Sequence, residues 1–284
     1  MKKGFDLFIY LVFFIIFINI VVWYLIIFPR SISGSELYFL SVGQGDSSLL
    51  LLPGRGGEHV KFLIDGGPIN GGLNYNLEKI LGADKYIDAI FVSHPEIDHF
   101  GGLIEILENY RIGAVLYNGE DGNDKNWAEF NKILLDRKIA KIALMKGDNV
   151  VYTVSTIKVL NSANLAANTN DSGLVLGLET DSLRALFTAD IDASTEKALA
   201  RSEDIRSDIL KVSHHGSKYS SDLSFLEKVE PKISVVEVGK NSYGHPTKEA
   251  LERLSSVGSE IFNTYKQGII KIVKEGGELK VFNL

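Results

Sequence analysis

Four side chains with metal-binding chemistry fall within six residues in the stretch Phe91-Val92-Ser93-His94-Pro95-Glu96-Ile97-Asp98-His99-Phe100-Gly101-Gly102. They are His94, Glu96, Asp98 and His99, and imidazole with carboxylate suits Zn²⁺ or Mn²⁺. An apolar strand pattern precedes them and a helical one follows. They therefore occupy a strand-end loop, where side chains converge instead of alternating between sheet faces. Gly101-Gly102 lets the following helix approach the loop without Cβ obstruction. A polar surface loop would carry the same residue types, so ligands from elsewhere in the chain decide between the two readings.

Donors of the same kind end other apolar runs. Leu186-Phe187-Thr188-Ala189-Asp190 ends in a carboxylate, and Ile209-Leu210-Lys211-Val212-Ser213-His214-His215-Gly216-Ser217 ends in paired histidines. Ser242-Tyr243-Gly244-His245-Pro246 places another imidazole just past an apolar run, and of six histidines only His59 falls outside the pattern. Asp65, in Phe62-Leu63-Ile64-Asp65-Gly66-Gly67, reads in two ways: a carboxylate that orients a ligand imidazole, or an Asx-type turn residue. Cysteine is absent, which excludes disulfides and thiolate metal sites alike.

The elements that must position these groups follow from hydropathy patterning. Strand-like runs at Glu36–Val42, Ser47–Pro53 and Val60–Asp65, separated by glycine-rich turns, read as an antiparallel meander. Strands at Ile87–Ser93, Ala114–Tyr117 and Ile142–Met145 then alternate with helices near Gly101–Tyr110 and Trp127–Lys138. A second β-rich run comprises Thr156–Leu160, Gly173–Glu179 and Leu183–Thr188. It is followed by strands Ile209–Ser213 and Ile233–Val238 among helices near Ser194–Ser202, Ser221–Val229 and Thr247–Val257. Two β-then-α halves of a layered α/β (α+β) domain are predicted.

Residues 7–28, LFIYLVFFIIFINIVVWYLIIF, are apolar or aromatic apart from Asn19, long enough as a helix to cross a hydrocarbon layer of about 30 Å. We read residues 1–30 as a membrane anchor with one transmembrane helix, 31–35 as a linker and 36–284 as the folded domain. Lys2 and Lys3 ahead of the run place the N-terminus in the cytoplasm and the domain on the outer face, in a single-pass arrangement in the cell membrane. A cleaved signal peptide is the alternative, although this apolar core exceeds the usual length of about 7–15 residues. Beyond residue 30 the chain carries 27 basic and 35 acidic residues, a net charge of −8 that argues against a surface coating nucleic acid broadly.

The ordered set of short motifs resembles the metallo-β-lactamase-fold hydrolases. Within them it is similar to the extracellular domain of ComEC-type DNA-uptake proteins and their stand-alone relatives. The motifs are Val42-Gly43-Gln44-Gly45-Asp46-Ser47, Leu63-Ile64-Asp65-Gly66-Gly67, Ser93-His94 through Asp98-His99-Phe100-Gly101-Gly102, and Asn170-Asp171-Ser172. Ala189-Asp190-Ile191, His214-His215-Gly216-Ser217, Val238-Gly239-Lys240-Asn241 and Tyr243-Gly244-His245-Pro246 follow, so the resemblance runs from about Tyr38 to the C-terminus.

The resemblance implies a four-layer αββα sandwich with two divalent metal ions, Zn or Mn, at one edge between the sheets. It assigns His94 and Glu96 to the first metal and Asp98 and His99 to the second, with Asp190 bridging and His215 completing the second; adjacency leaves His214 as the alternative. Two departures stand out: Glu96 occupies a position usually held by His or Asp, and Ala189 one where Gly is common. No histidine lies between His99 and His214, so a ligand the family draws from that interval is missing, with Asn170 or Asp171 as stand-ins. The first metal site is therefore expected to be weak or empty. His245 is expected to donate to a substrate phosphate or protonate a leaving oxygen, and Lys211, Lys218, Lys240 and Lys248 to offer phosphate contacts.

The resulting expectation is a membrane-anchored, extracytoplasmic hydrolase of phosphate esters, a phosphodiesterase or nuclease acting on DNA or a related polymer. Catalysis would involve Asp98, Asp190 and His245. Its rivals are a metallo-hydrolase of another substrate (a phosphocholine ester, lactam or thioester) and a binding module with a degenerate metal site.

Overall fold

A computed structural model of the chain describes residues 12–19, 34–163 and 172–284. Residues 12–19 form helix α1, and among the described residues no helix is long and apolar enough to cross a membrane. Most of the 7–28 segment read as a span lies outside the described residues, as do residues 31–33 of the linker and both Asn170 and Asp171.

The first sheet opens with the expected antiparallel meander, β1 (Glu36–Phe39), β2 (Ser48–Pro53) and β3 (His59–Ile64). Parallel strands β4 (Tyr86–Val92), β5 (Arg111–Tyr117) and β6 (Ala140–Ala143) extend it. In the second sheet β7 (Asn149–Tyr152), β8 (Ser155–Asn161), β9 (Val175–Glu179) and β10 (Arg184–Phe187) are antiparallel neighbours. Parallel strands β11 (Ile209–Lys211), β12 (Ile233–Val236) and β13 (Glu260–Asn263) follow. The hairpin β14 (Ile270–Glu275) and β15 (Glu278–Asn283) then returns to the first sheet, β14 pairing with β1. The sheets have eight and seven strands.

Helices α2 (Leu73–Leu81), α3 (Ile97–Phe100), α4 (Leu103–Asn109) and α5 (Lys125–Asp136) belong to the first half, and α6 (Ala193–Ser202), α7 (Leu223–Val229), α8 (Lys248–Ser256) and α9 (Thr264–Gln267) to the second. Asp124, Asp192, Asp222 and Thr247 cap α5 to α8 by accepting backbone N–H groups of the first turn, which fixes where these helices begin.

The layering follows from side-chain alternation. Along β2, Leu50 and Leu52 face the other sheet, where Phe39 stacks on Phe187 at 6.1 Å, whereas Leu49 and Leu51 face the helices with Leu103, Ile106 and Phe130. Both faces of the strand are covered, hence its unbroken leucine run. A third apolar cluster seals α6, α7 and α8 onto the second sheet through Leu199, Phe225, Leu226 and Leu254. The result is the predicted αββα sandwich. Gly102 lets α4 meet the first sheet closely: a Cβ there would stand 2.2 Å from the Gly66 carbonyl oxygen.

Several elements differ from the sequence expectation. Helix α2, strands β7 and β13 and the terminal hairpin were not anticipated, and the hairpin's return to β1 means that the first sheet takes strands from both ends of the domain.

Candidate metal centre

Four segments deliver the candidate ligands to one rim between the sheets. They are the residue after β3 (Asp65), the end of β4 with α3 (His94, Asp98, His99), the turn after β10 (Asp190), and the Ser213–Gly216 turn after β11. Asp65, Ala189, His214 and His215 all adopt left-handed backbone conformations, with φ of 57°, 48°, 49° and 51°. Such turns aim consecutive side chains inward from a strand end, at a steric cost that packing must offset.

Asp98, His99 and His215 form one potential ligand group, and Asp190 adjoins both imidazoles. Nε2 of His215 lies 3.4 Å from Oδ2 of both Asp98 and Asp190, and Nε2 of His99 lies 3.5 Å from Asp190 Oδ2. Ligands placed about 2.0–2.1 Å from a tetrahedral ion stand about 3.3–3.4 Å apart, and these three spacings are close to that value. His94, His99 and Asp190 form a second potential ligand group around the shared carboxylate. Glu96 Oε2 lies 3.8 Å from His94 Nε2 on a side chain 41% exposed.

The donor chemistry fits a divalent cation. Nε2 of His94, His99 and His215 and Oδ1 of Asp190 are buried without a hydrogen-bond partner. Leaving a buried polar atom unsatisfied costs about 1–3 kcal/mol, so four such atoms around one rim mark a place for a ligand. The opposite ring nitrogens are engaged, which turns each Nε2 toward the rim. His99 Nδ1 lies 3.0 Å from Asp65 Oδ2, His215 Nδ1 donates to the Glu237 carbonyl at 2.9 Å, and His94 Nδ1 meets Ser93 Oγ at 2.9 Å. Asp65 is thus an orienting carboxylate, while its left-handed backbone also makes it a turn residue.

Charge at the site is strongly coupled. Burial disfavours the imidazolium forms of His99 and His215, yet neighbouring carboxylates outweigh it, chiefly Asp190, holding His99 well above the usual range and His215 at about 10. Burial likewise resists ionisation of Asp98 and Asp190. The imidazoles overcome it and lower Asp98 to about 2 and Asp190 well below the ordinary carboxylate range. The cluster therefore demands positive charge, which protons supply in the apo state and a divalent cation would replace.

Beneath the rim lies a buried charge layer. Lys211 Nζ pairs with Asp46 Oδ2 and donates to the Ala189 carbonyl at 3.0 Å. Asp46 Oδ1 is 3.1 Å from His215 Nδ1, and Glu237 Oε1 accepts from Ser48 Oγ at 3.1 Å. Lys211 is buried, which corrects its expected role: this ammonium supports the floor of the site and is not presented to a phosphate. Asp46 and Glu237 were given no role in the sequence reading. The usable signal was a charge inside an otherwise apolar strand, in Ile209-Leu210-Lys211-Val212 and Val235-Val236-Glu237-Val238, because such residues are tolerated only with buried partners.

The remaining candidates separate by position. His214, 30% exposed, keeps Nε2 3.9 Å from Asp190, whereas His215 is buried among the other ligands. His245 sits with its ring 5.8 Å from that of His214. Lys218 and Lys240 are exposed on the loops carrying the paired histidines and His245, and Lys248 pairs with Glu252 at 3.3 Å.

Residues 41–239 match the metallo-beta-lactamase superfamily. Among curated relatives, ComE operon protein 3 of Bacillus subtilis (strain 168) is 27% identical over 273 residues, covering 88% of this chain and 34% of the relative. Recombination protein 2 of Haemophilus influenzae is 26% identical over 239 residues, covering 82% and 28%. The chain thus spans about a third of the length of these relatives. Among solved structures, the metallo-beta-lactamase fold protein YhfI from Bacillus subtilis superposes with a TM-score of 0.58 at 12% identity, covering 84% of this chain and 100% of that one. Two mixed sheets between helical layers, ligands gathered at their common rim and a family match over most of the chain agree, and this chain belongs to the metallo-beta-lactamase superfamily.

Proposed function

We propose that the chain is a metal-dependent phosphodiesterase, held at the outer face of the cell membrane by residues 7–28 and acting on DNA or a related polymer. The observation that carries the hydrolytic reading is the constellation of His99, His215, Asp98 and Asp190, spaced for an ion and lined by unpartnered donor atoms. The nucleic-acid part rests on relatives named for competence and recombination, and the membrane part on the apolar run following Lys2 and Lys3.

In this reading His99, His215, Asp98 and Asp190 hold one divalent ion, and His94 and Glu96, with Asp190 shared, hold a second. Such ions, when bound, supply Lewis acidity toward a phosphoryl oxygen and lower the pKa of water. Asp190 is buried and serves both groups. Asp98 is the more exposed carboxylate of the constellation, its side chain 28% exposed, and can accept a hydrogen from the attacking water while ionised. Burial, followed by the charges of His214 and His215, keeps the His245 pKa below its ordinary value. His245 is then a neutral imidazole at neutral pH and donates a hydrogen bond to the substrate phosphate more readily than it gives up a proton.

The weaker His94–Glu96 pairing favours a second reading in which one ion is held and the site binds without turnover. Metal analysis of the purified chain, followed by assays with DNA, an aryl phosphodiester, a phosphocholine ester and a lactam, separates the two. Phosphodiester cleavage lost on metal removal supports the proposal, turnover of another ester or the lactam alone redirects it, and metal binding with no turnover selects the second reading. For the membrane part, protease added to intact cells should reach the domain; full protection in cells with an accessible outer face would overturn the orientation.

A further inference from the structure

The segment Asn241–Thr247 is built more rigidly than an exposed loop requires. The Asn241 side chain uses its full hydrogen-bonding capacity on it: Oδ1 accepts from the backbone N–H of Tyr243 at 3.0 Å and of His245 at 3.1 Å, and Nδ2 donates to the Gly239 and His245 carbonyls, both at 2.9 Å. The loop is also fastened to the turn that carries the paired histidines. Thr247 donates to the Gly216 carbonyl through its backbone N–H at 2.9 Å and its hydroxyl at 3.1 Å. Pro246 packs so closely that a Cβ on Gly216 would stand 2.7 Å from its own, at a residue whose φ of 78° already favours glycine.

This frame presents a row of rings leading from the metal centre to solvent. His214 Nε2 is 3.9 Å from Asp190, the His214 and His245 rings are 5.8 Å apart, and the His245 and Tyr243 rings are 5.8 Å apart and inclined by 34°. Tyr243, at the outer end, is 74% exposed. An aromatic ring left in water on a loop whose backbone is held by the Asn241 amide is available to a flat ligand group, and the backbone part of the ordering cost of binding has already been met in folding. Lys240 in the same loop is exposed, and Lys218 beside the paired histidines is exposed with its ammonium 4.9 Å from the Tyr219 ring centroid, so both ammonium groups stand within the surface a phosphate would approach.

We propose that Tyr243 is a specificity-determining residue that stacks on an unpaired nucleobase next to the scissile phosphate, with Asn241 positioning it against the metal turn. This rests on the phosphodiesterase reading above. Every base offers a π-face, so one tyrosine gives sequence-tolerant recognition of single strands, and a base paired in a duplex is withheld from it. The acidic background of the domain is consistent with such a contact, because stacking needs no broad positive surface.

The test compares an oligothymidylate with an abasic phosphodiester strand of equal length, using the metal-loaded protein and its Tyr243→Ala, Tyr243→Phe and Asn241→Ala variants. In the wild type the base-bearing strand is preferred. Tyr243→Ala should reduce that preference in kcat/KM by about 5- to 150-fold, the worth of one stacked base, mainly through KM, and Tyr243→Phe should retain it. Asn241→Ala should raise KM for the base-bearing strand without moving kcat to the same degree. Anisotropy of the labelled oligothymidylate bound to Asp98→Asn protein, with and without Tyr243→Ala, reads the same contact without turnover. Equal losses on both strands, or no loss with Tyr243→Ala, would overturn the stacking assignment alone, whereas a wild type that cleaves neither strand would overturn the phosphodiesterase reading beneath it.

Discussion

Replacing Asp65 by Asn tests whether the imidazole lone pairs are aimed by the groups behind them. The carboxylate has two partners: Oδ1 accepts the Ser93 amide at 2.7 Å, and Oδ2 faces His99 Nδ1 at 3.0 Å. Asparagine keeps the first contact through its oxygen, so its amide nitrogen faces His99. Two donors cannot face each other, and the His99 proton must move to Nε2, the atom that points toward Asp190 at 3.5 Å. A protonated Nε2 cannot ligate, and loss of such an orienting partner weakens metal affinity by about 10–100-fold, or about 1.4–2.7 kcal/mol. Ser93 Oγ, 3.2 Å from His99 Nδ1, can take over as acceptor, which places the single variant near the tenfold end and Asp65→Asn/Ser93→Ala near the upper end. The fold should persist, because asparagine tolerates the φ of 57° at this position. Chelator competition with Zn²⁺ and Mn²⁺ measures the affinity and thermal unfolding of the apo-protein measures the fold. Wild-type metal affinity in both variants would refute the reasoning.

Other outcomes follow from the same geometry. Asp98→Asn or His99→Ala should abolish metal-dependent hydrolysis with the fold retained, checked by turnover together with circular dichroism. Titration of apo-protein with Mn²⁺ or Zn²⁺ should fill two unequal sites, and Glu96→His should narrow the gap; two equal steps in the wild type would count against the ligand assignment. Lys211→Met removes the ammonium paired with the buried Asp46, leaving that carboxylate only its imidazole neighbours, and should cost up to about 3–5 kcal/mol in denaturant unfolding, less when Asp46→Asn is added. Burial lifts the Glu196 carboxyl to about 7 against its ordinary 4.5, despite hydrogen bonds from Asp222, Ser213 and Ser221. The native state therefore holds that proton more tightly, so its contribution of roughly 3 kcal/mol is fully present below about pH 4.5 and is lost as pH rises through about 7. Glu196→Gln should flatten this slope in apo-protein stability.

Local pattern was enough to read the layered fold class, most of the strands, and the strand-end position of His94, Asp98, His99, Asp190 and His215. Apolar periodicity and turn residues encode elements within a few residues, and a ligand at a strand end is visible as a polar break after an apolar run. What remained hidden depends on partners distant in the chain. The return of β14 to β1 is a long-range pairing with no local mark. Helix α2 begins at Leu73 after a glycine with no capping side chain, so its start carries no signal. Choosing between His214 and His215 required the Glu237 carbonyl, which engages one ring and not the other. The role of Lys211 was reversed by Asp46, a residue 165 positions away that shares its burial. Residue type and spacing thus specified which groups could bind a metal; only the packing of two sheets, by burying some of those groups and pairing others, determined which nitrogen and oxygen atoms were left facing one another.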